Sequence, residues 1–263
     1  WIQSKLKTEG YFLNPVCIQI QSGENINSVS NKLAELELIK SPVIFRIGAN
    51  YSKKSTRLKA GSFLLPAKSS MFDIINLITR GGKNTCGKEV LYKIGVTSQK
   101  IVVRNFNPNT GKYLEVLNFD LENDVRPKSY IGLTNEQGIR YRIIIAEGVS
   151  SWRITNALKI ADFLTGPVTK VSREGSLAPN SYEVSLGTSR DSVIQLMEKK
   201  QKDILVQAWE DRDLTSPLKT VDEALILASI IEKETGLVEE RGLVASVFIN
   251  RIKNNMRLQT DPS

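Results

Sequence analysis

The sequence has 263 residues and no histidine. That absence removes Ser-His-Asp triads, Cys-His nucleophile pairs and HExxH zinc sites. Acid–base chemistry must come from carboxylates, lysine, tyrosine or cysteine. Only two cysteines occur, Cys17 and Cys86, with no spacing suited to metal ligands. Spacing leaves open whether they form one disulfide or stand as two separate buried thiols. No apolar run reaches the length of a membrane span, and no stretch reads as a signal peptide. No Gly-rich phosphate loop, zinc finger or RNP motif is present, so neither a cofactor nor nucleic acid is expected.

What is present is ordinary in bulk and uneven in charge. Apolar residues make up 41%, enough to bury a sizeable core. The formal net charge is +8, but from Val221 onward five bases meet seven acids, so the preceding part carries +10. A basic N-terminal part suits an anionic partner such as a phospholipid surface or a wall polymer.

Patterning divides the chain. Val16–Gln21 reads as a strand, 27–38 as a helix with Val29, Leu33, Leu36 and Leu38 inward, and Pro42 opens a second helix. GSFLLPAKSSMFDIINLITRGG then gives a strand, a turn and a helix closed by Gly81-Gly82. This layout recurs: Tyr141–Ile145 as strand, 150–164 as helix, then NSYEVSLGTSRDSVIQLMEKK echoing GSFLLPAKSSMFDIINLITRG. Between the copies, 88–96, 99–105 and 113–121 alternate apolar and polar around the hairpin sequence NPNTG, the pattern of a small β insertion.

The last fifty residues hold the candidate chemistry. Thr220 and Glu223 have capping-box spacing before an apolar helix, Leu225–Ile231, that reads as buried nearly all round. Two acids end it, Glu232 and Glu234, with Gly236 as a stop. They sit ~200° apart on one helix and cannot share a pocket. Glu234 stacks over Leu227, Ile230 and Ile231, which would desolvate it, raise its pKa and suit it to general-acid work. A second helix, Glu239–Lys253, should turn Val244, Val247, Phe248 and Ile252 toward the first.

The runs LASIIEKETG, VASVFINRI and MRLQTDP, dense over about forty residues, resemble the catalytic signature of the endolytic murein transglycosylases, the YceG-like family. IQIQSGENINSVSNKLAE, LKAGSFLL, IIAEGVSSWRITNAL and EGSLAPNSYEV resemble its LysM-like part. The resemblance implies a lytic transglycosylase that cuts peptidoglycan glycan strands with one Glu and no cofactor, leaving 1,6-anhydro ends. It places the catalytic role on Glu234, since Glu234-Thr235 looks like the Glu-Ser pair of other lytic transglycosylases, with Glu232 as second candidate. Asn250, Arg251, Gln259, Thr260 and Asp261 become substrate-positioning candidates. If Asp261 shared the pocket, hydrolysis through two carboxylates would be conceivable. Asn180-Ser181-Tyr182 replaces a usual Asp-Thr-Tyr, keeping turn chemistry without the charge. Residues 83–140 depart from the family pattern.

The resemblance further implies an inner-membrane protein with its bulk on the periplasmic side, held by an N-terminal helix absent from this sequence and working beside peptidoglycan synthases. Both ends read as cut. The expected fold class is α+β: an N-terminal approach with a first LysM-like unit at 1–82, a β-rich insertion at 83–140, a second LysM-like unit at 141–205, and the start of a mainly helical catalytic part at 206–263. A non-catalytic glycan-binding scaffold is the alternative function.

Overall fold

A computed structural model describes residues 2–80, 85–122, 124–133, 136 and 138–259. The fold is α+β. After α1 (Ile2–Lys7), β1 (Val16–Ile20) pairs antiparallel with β2 (Gly61–Leu65), Val16 opposite Leu65. Between these strands run α2 (Ile26–Glu35) and α3 (Pro42–Tyr51), and α4 (Met71–Thr79) comes after β2. α2, α3 and α4 each begin where a short polar side chain takes up otherwise free amides: Asn25 for α2, Ser41 before Pro42 for α3, and Ser70 answered by Asp73 for α4. Ile18, Val29, Leu33, Phe45, Leu65 and Ile74 meet in one core. Leu6 of α1 enters it over Gly48, where an added Cβ would stand 2.4 Å from Leu6 Cδ2. Leu36, expected inward, is exposed, because α2 ends at Glu35 and Leu36 is its cap. The Gly81-Gly82 stop lies outside the described residues.

Cys17 and Cys86 are joined in a disulfide, Cα–Cα 5.9 Å, closing a loop of 69 residues. Thr85 helps bring the thiols together: its amide donates to Ser62 O (2.9 Å) and its hydroxyl accepts from Leu64 N (2.8 Å), so the chain runs beside β2.

β3 (Lys88–Ile94), β4 (Gln99–Asn107) and β5 (Lys112–Phe119) form an antiparallel meander, with a register shift at Val103/Arg104. Asn107 shapes the β4–β5 turn, accepting from Asn109 N and Thr110 N, and Gly111 closes it at φ 65°. After α5 (Lys128–Leu133), β6 (Arg140–Ile145) joins β3 in parallel. Then come α6 (Ser151–Ile160), β7 (Leu164–Thr165), β8 (Ser181–Val184) antiparallel to β6, β9 (Thr188–Ser189) and α7 (Arg190–Glu210). The sheet order is β5-β4-β3-β6-β8. The division drawn at 140/141 therefore falls between hydrogen-bonded partners, and β3, β4 and β5 share one sheet with β6 and β8. Val90, Tyr92, Ile143, Leu158, Phe163 and Met197 share its core. The strand–helix order of the first unit recurs from β6 to α7, except that 166–180 runs as loop where the first unit has α3. The 150–164 helix stops at Ile160, because Ala161 turns extended and sends Phe163 into the core.

Candidate active site

The acids of interest lie on a pair of helices beyond α7. α8 (Val221–Glu234) begins at Thr220, whose hydroxyl accepts from Glu223 N at 3.1 Å. Glu223 reaches back past the cap to Lys219 N, 2.6 Å. The first turn of α8 is fastened to the loop before β8. Arg173 makes a two-pronged contact with Asp222, 2.9 and 3.2 Å, and Gly175 lies against Leu225. That loop is itself tied to α6: Glu174 accepts from Ser151 N, and Ser151 Oγ donates to Arg173 O. Asn180 acts in the turn, its carbonyl accepting from Ile145 N and its side chain from Ser181 N.

α8 is not buried nearly all round. Leu227 is its only buried residue among those described, and Ile226 is 59% exposed. Among the described residues, only the end of α7 and α9 (Arg241–Lys253) flank it as helices, too few to enclose it. Glu234 is likewise exposed rather than desolvated by Leu227, Ile230 and Ile231. Its carboxylate makes no hydrogen bond or ion pair among the described residues. Helix ends fray outward, and a last-turn side chain has solvent on the side where the next turn would stand.

Glu232 instead meets Arg241 Nη2 at 2.8 Å. Thr235 is buried, with extended backbone, and its hydroxyl serves the turn: it donates to Glu240 Oε2 (2.9 Å) and accepts from Leu237 N (3.1 Å). The helix stop thus comes from Thr235, and Gly236 is not in the left-handed region. A 3₁₀ turn, Val238–Glu240, then leads into α9. Phe248 is buried; Val247 is 45% exposed, departing from the expected inward set.

Asn250 and Arg251 lie at the far end of α9. Arg251 Nη1 donates to Leu258 O, folding the tail back so that Leu258 joins Ile226, Leu227, Ile230 and Ile252 around a groove of about 330 Å³. Asn250 O accepts from Asn254 N and Nδ2. Gln259 is exposed at φ 53°. Arg241 sits at the Glu232 end of α8, and Arg251 is ten residues further on, ~15 Å along the axis. The described residues therefore separate Glu234 from Asn250 and Arg251. Thr260 and Asp261 lie outside them. Sequence reasoning missed Arg241, Glu240 and Arg173. The first two partner acids or hydroxyls across a turn, and no period marks such pairs. Among the described residues no group of three or more His, Cys, Asp or Glu could hold a metal.

The sequence profile of the YceG-like family matches residues 18–263, all but the first seventeen. The chain belongs to the YceG-like family. This YceG-like chain is 26% identical over 247 residues to the endolytic murein transglycosylase of Streptococcus pneumoniae serotype 2 strain D39, covering 94% of this chain and 42% of that protein. It is 26% identical over 255 residues to the endolytic murein transglycosylase of Bacillus subtilis strain 168, covering 94% and 62%. A YceG-like protein of Listeria monocytogenes with a crystal structure aligns at TM-score 0.33 and 23% identity, over 95% of this chain and 74% of that one. The YceG-like chain thus spans roughly two-fifths to three-fifths of the length of these curated relatives.

Proposed function

We propose that the protein is an endolytic murein transglycosylase that cuts peptidoglycan glycan strands between MurNAc and GlcNAc, leaves 1,6-anhydroMurNAc ends and so terminates strand elongation. The observation that carries this reading is Glu234, exposed at the end of α8 with no partner among the described residues, in a family-matched segment, where a polymer can reach it. In this reaction Glu234 protonates the departing glycosidic oxygen. The sugar's own C6 hydroxyl oxygen then bonds to C1, and its proton passes to the Glu234 carboxylate, so no water is consumed. Gln259, Thr260, Asp261, Asn250 and Arg251 position the strand.

The protein works outside the cytoplasm, held to the inner membrane by an N-terminal helix and beside peptidoglycan synthases; the Cys17–Cys86 bond supports an oxidising compartment. No described helix is long and apolar enough to cross a membrane. The test is mass analysis of intact glycan strands after incubation with the full-length protein. Internal fragments with anhydro ends support the reading. Reducing ends would make water the nucleophile and overturn it. A second reading, a glycan-holding scaffold without turnover, is favoured by the absence of a walled pocket around Glu234 among the described residues. Retention of strands with no new ends would select it.

A further inference from the structure

The five-stranded sheet has two unlike faces. One packs on α5, α6 and α7. On the other, Leu91 and Val102 face each other across β3 and β4, each only 2% exposed, yet neither belongs to either apolar core. Their side chains are thus already withdrawn from solvent. On this face β4, β3 and β6 carry five cations, Lys93, Lys100, Arg104, Arg140 and Arg142, and one carboxylate, Glu89. Glu89, its side chain 2% exposed, gathers Arg104 (2.5 Å), Arg142 (3.3 Å) and Arg140 (3.4 Å). The other acids on this face, Glu115 and Glu183, lie on the flanking strands β5 and β8.

Lys93 and Lys100 are both exposed, stand directly opposite each other, and make no ion pair among the described residues. Like charges directly opposite on neighbouring strands are destabilising. The arrangement therefore costs stability unless an anion relieves it, and Arg142 lies diagonally beside Lys93. We propose that this face, centred on Lys93, Lys100 and Arg142, binds a flexible phosphate polyanion that carries no bases. The apolar floor is already covered, so a bilayer would find nothing to bury here. The nearby rings, Tyr113 and Phe106, are spent on each other (5.2 Å between centroids) and on Arg104, which leaves no platform for base stacking. Charge is the one contact left.

The probe is end-labelled inorganic polyphosphate, titrated with the chain by fluorescence anisotropy at several salt concentrations. Lys93→Glu with Lys100→Glu should weaken binding by about tenfold or more and lower the salt slope by about 1.4, two contacts at about 0.7 each. The charge-matched control Lys53→Glu with Lys202→Glu, both exposed elsewhere, should change affinity by less than about threefold. Lys93→Glu alone should raise Tm, by turning a like pair into an opposite one, while lowering affinity. Equal losses in the two double variants would reduce the effect to net charge and overturn the proposal. So would a fall in Tm for Lys93→Glu, or equal or tighter binding of single-stranded DNA or anionic lipid vesicles dependent on the same lysines.

Discussion

Glu234 and Glu232 are two residues apart and meet different surroundings: one carboxylate is in open solvent, the other is held by Arg241 at 2.8 Å. If Glu234 carries both proton transfers, Glu234→Gln keeps the shape and removes the donor. Release of anhydro-ended fragments by the full-length variant should then fall by at least the 10²–10⁴ typical of acid–base help, about 10⁴ when one group serves both steps. Glu232→Gln should retain most activity, because it loses only a half-exposed ion pair, and such pairs are worth at most about 1 kcal/mol. Activity lost in Glu232→Gln and kept in Glu234→Gln would exchange their roles. At this scale the helical period separated the two acids correctly, since it fixes angle. It misjudged their burial, because burial depends on what packs alongside. Arg241, nine residues from Glu232, comes near only through the Thr235 turn.

Helix beginnings were the most legible elements. Pro42 opens α3 and Thr220 caps α8 as their sequence positions predict, because helix starts are local chemistry. Helix ends were less legible: the 150–164 helix stops at Ile160 because the core claims Phe163. The loop that clips α8 to the sheet unit had no signal beyond its turn residues. Gly175 sits there at φ 75°, and an added Cβ would lie 3.1 Å from Leu225 Cδ2. Gly175→Ala should therefore cost about 1–2 kcal/mol, mostly from the left-handed backbone. Denaturant unfolding measures it, and an unchanged midpoint would show that the loop relaxes freely.

Across the whole molecule, two features set stability. The 69-residue loop closed by Cys17–Cys86 restricts the unfolded chain, so replacing both cysteines by serine should cost up to about 4 kcal/mol in denaturant unfolding. The core phenols set the alkaline limit. Burial pushes the Tyr182 hydroxyl up to about 12. Burial with nearby Glu122 raises Tyr92 further, and burial with the Asp162 hydrogen bond does the same for Tyr130. The unfolded chain gives up these protons near pH 10 while the fold keeps them. Their contribution is whole below about pH 10 and is lost as pH rises through about 12. Burial raises Tyr113 and Tyr141 as well, so tyrosinate absorbance should show five late phenols, the most buried titrating together with unfolding. The α+β class and the three strands between 83 and 140 were legible from alternation; the partner each strand chooses was not, because pairing is long-range. That choice bears on how the protein can be shortened or recombined. Residues 83–140 look like a cassette that could be lifted out to restore a leaner ancestor-like chain. Yet β3 is the central strand, and its removal would strip β6 of its parallel neighbour, leaving an unpaired isoleucine-rich edge of the kind that recruits other chains. Excision should therefore yield aggregate, not a smaller folded chain.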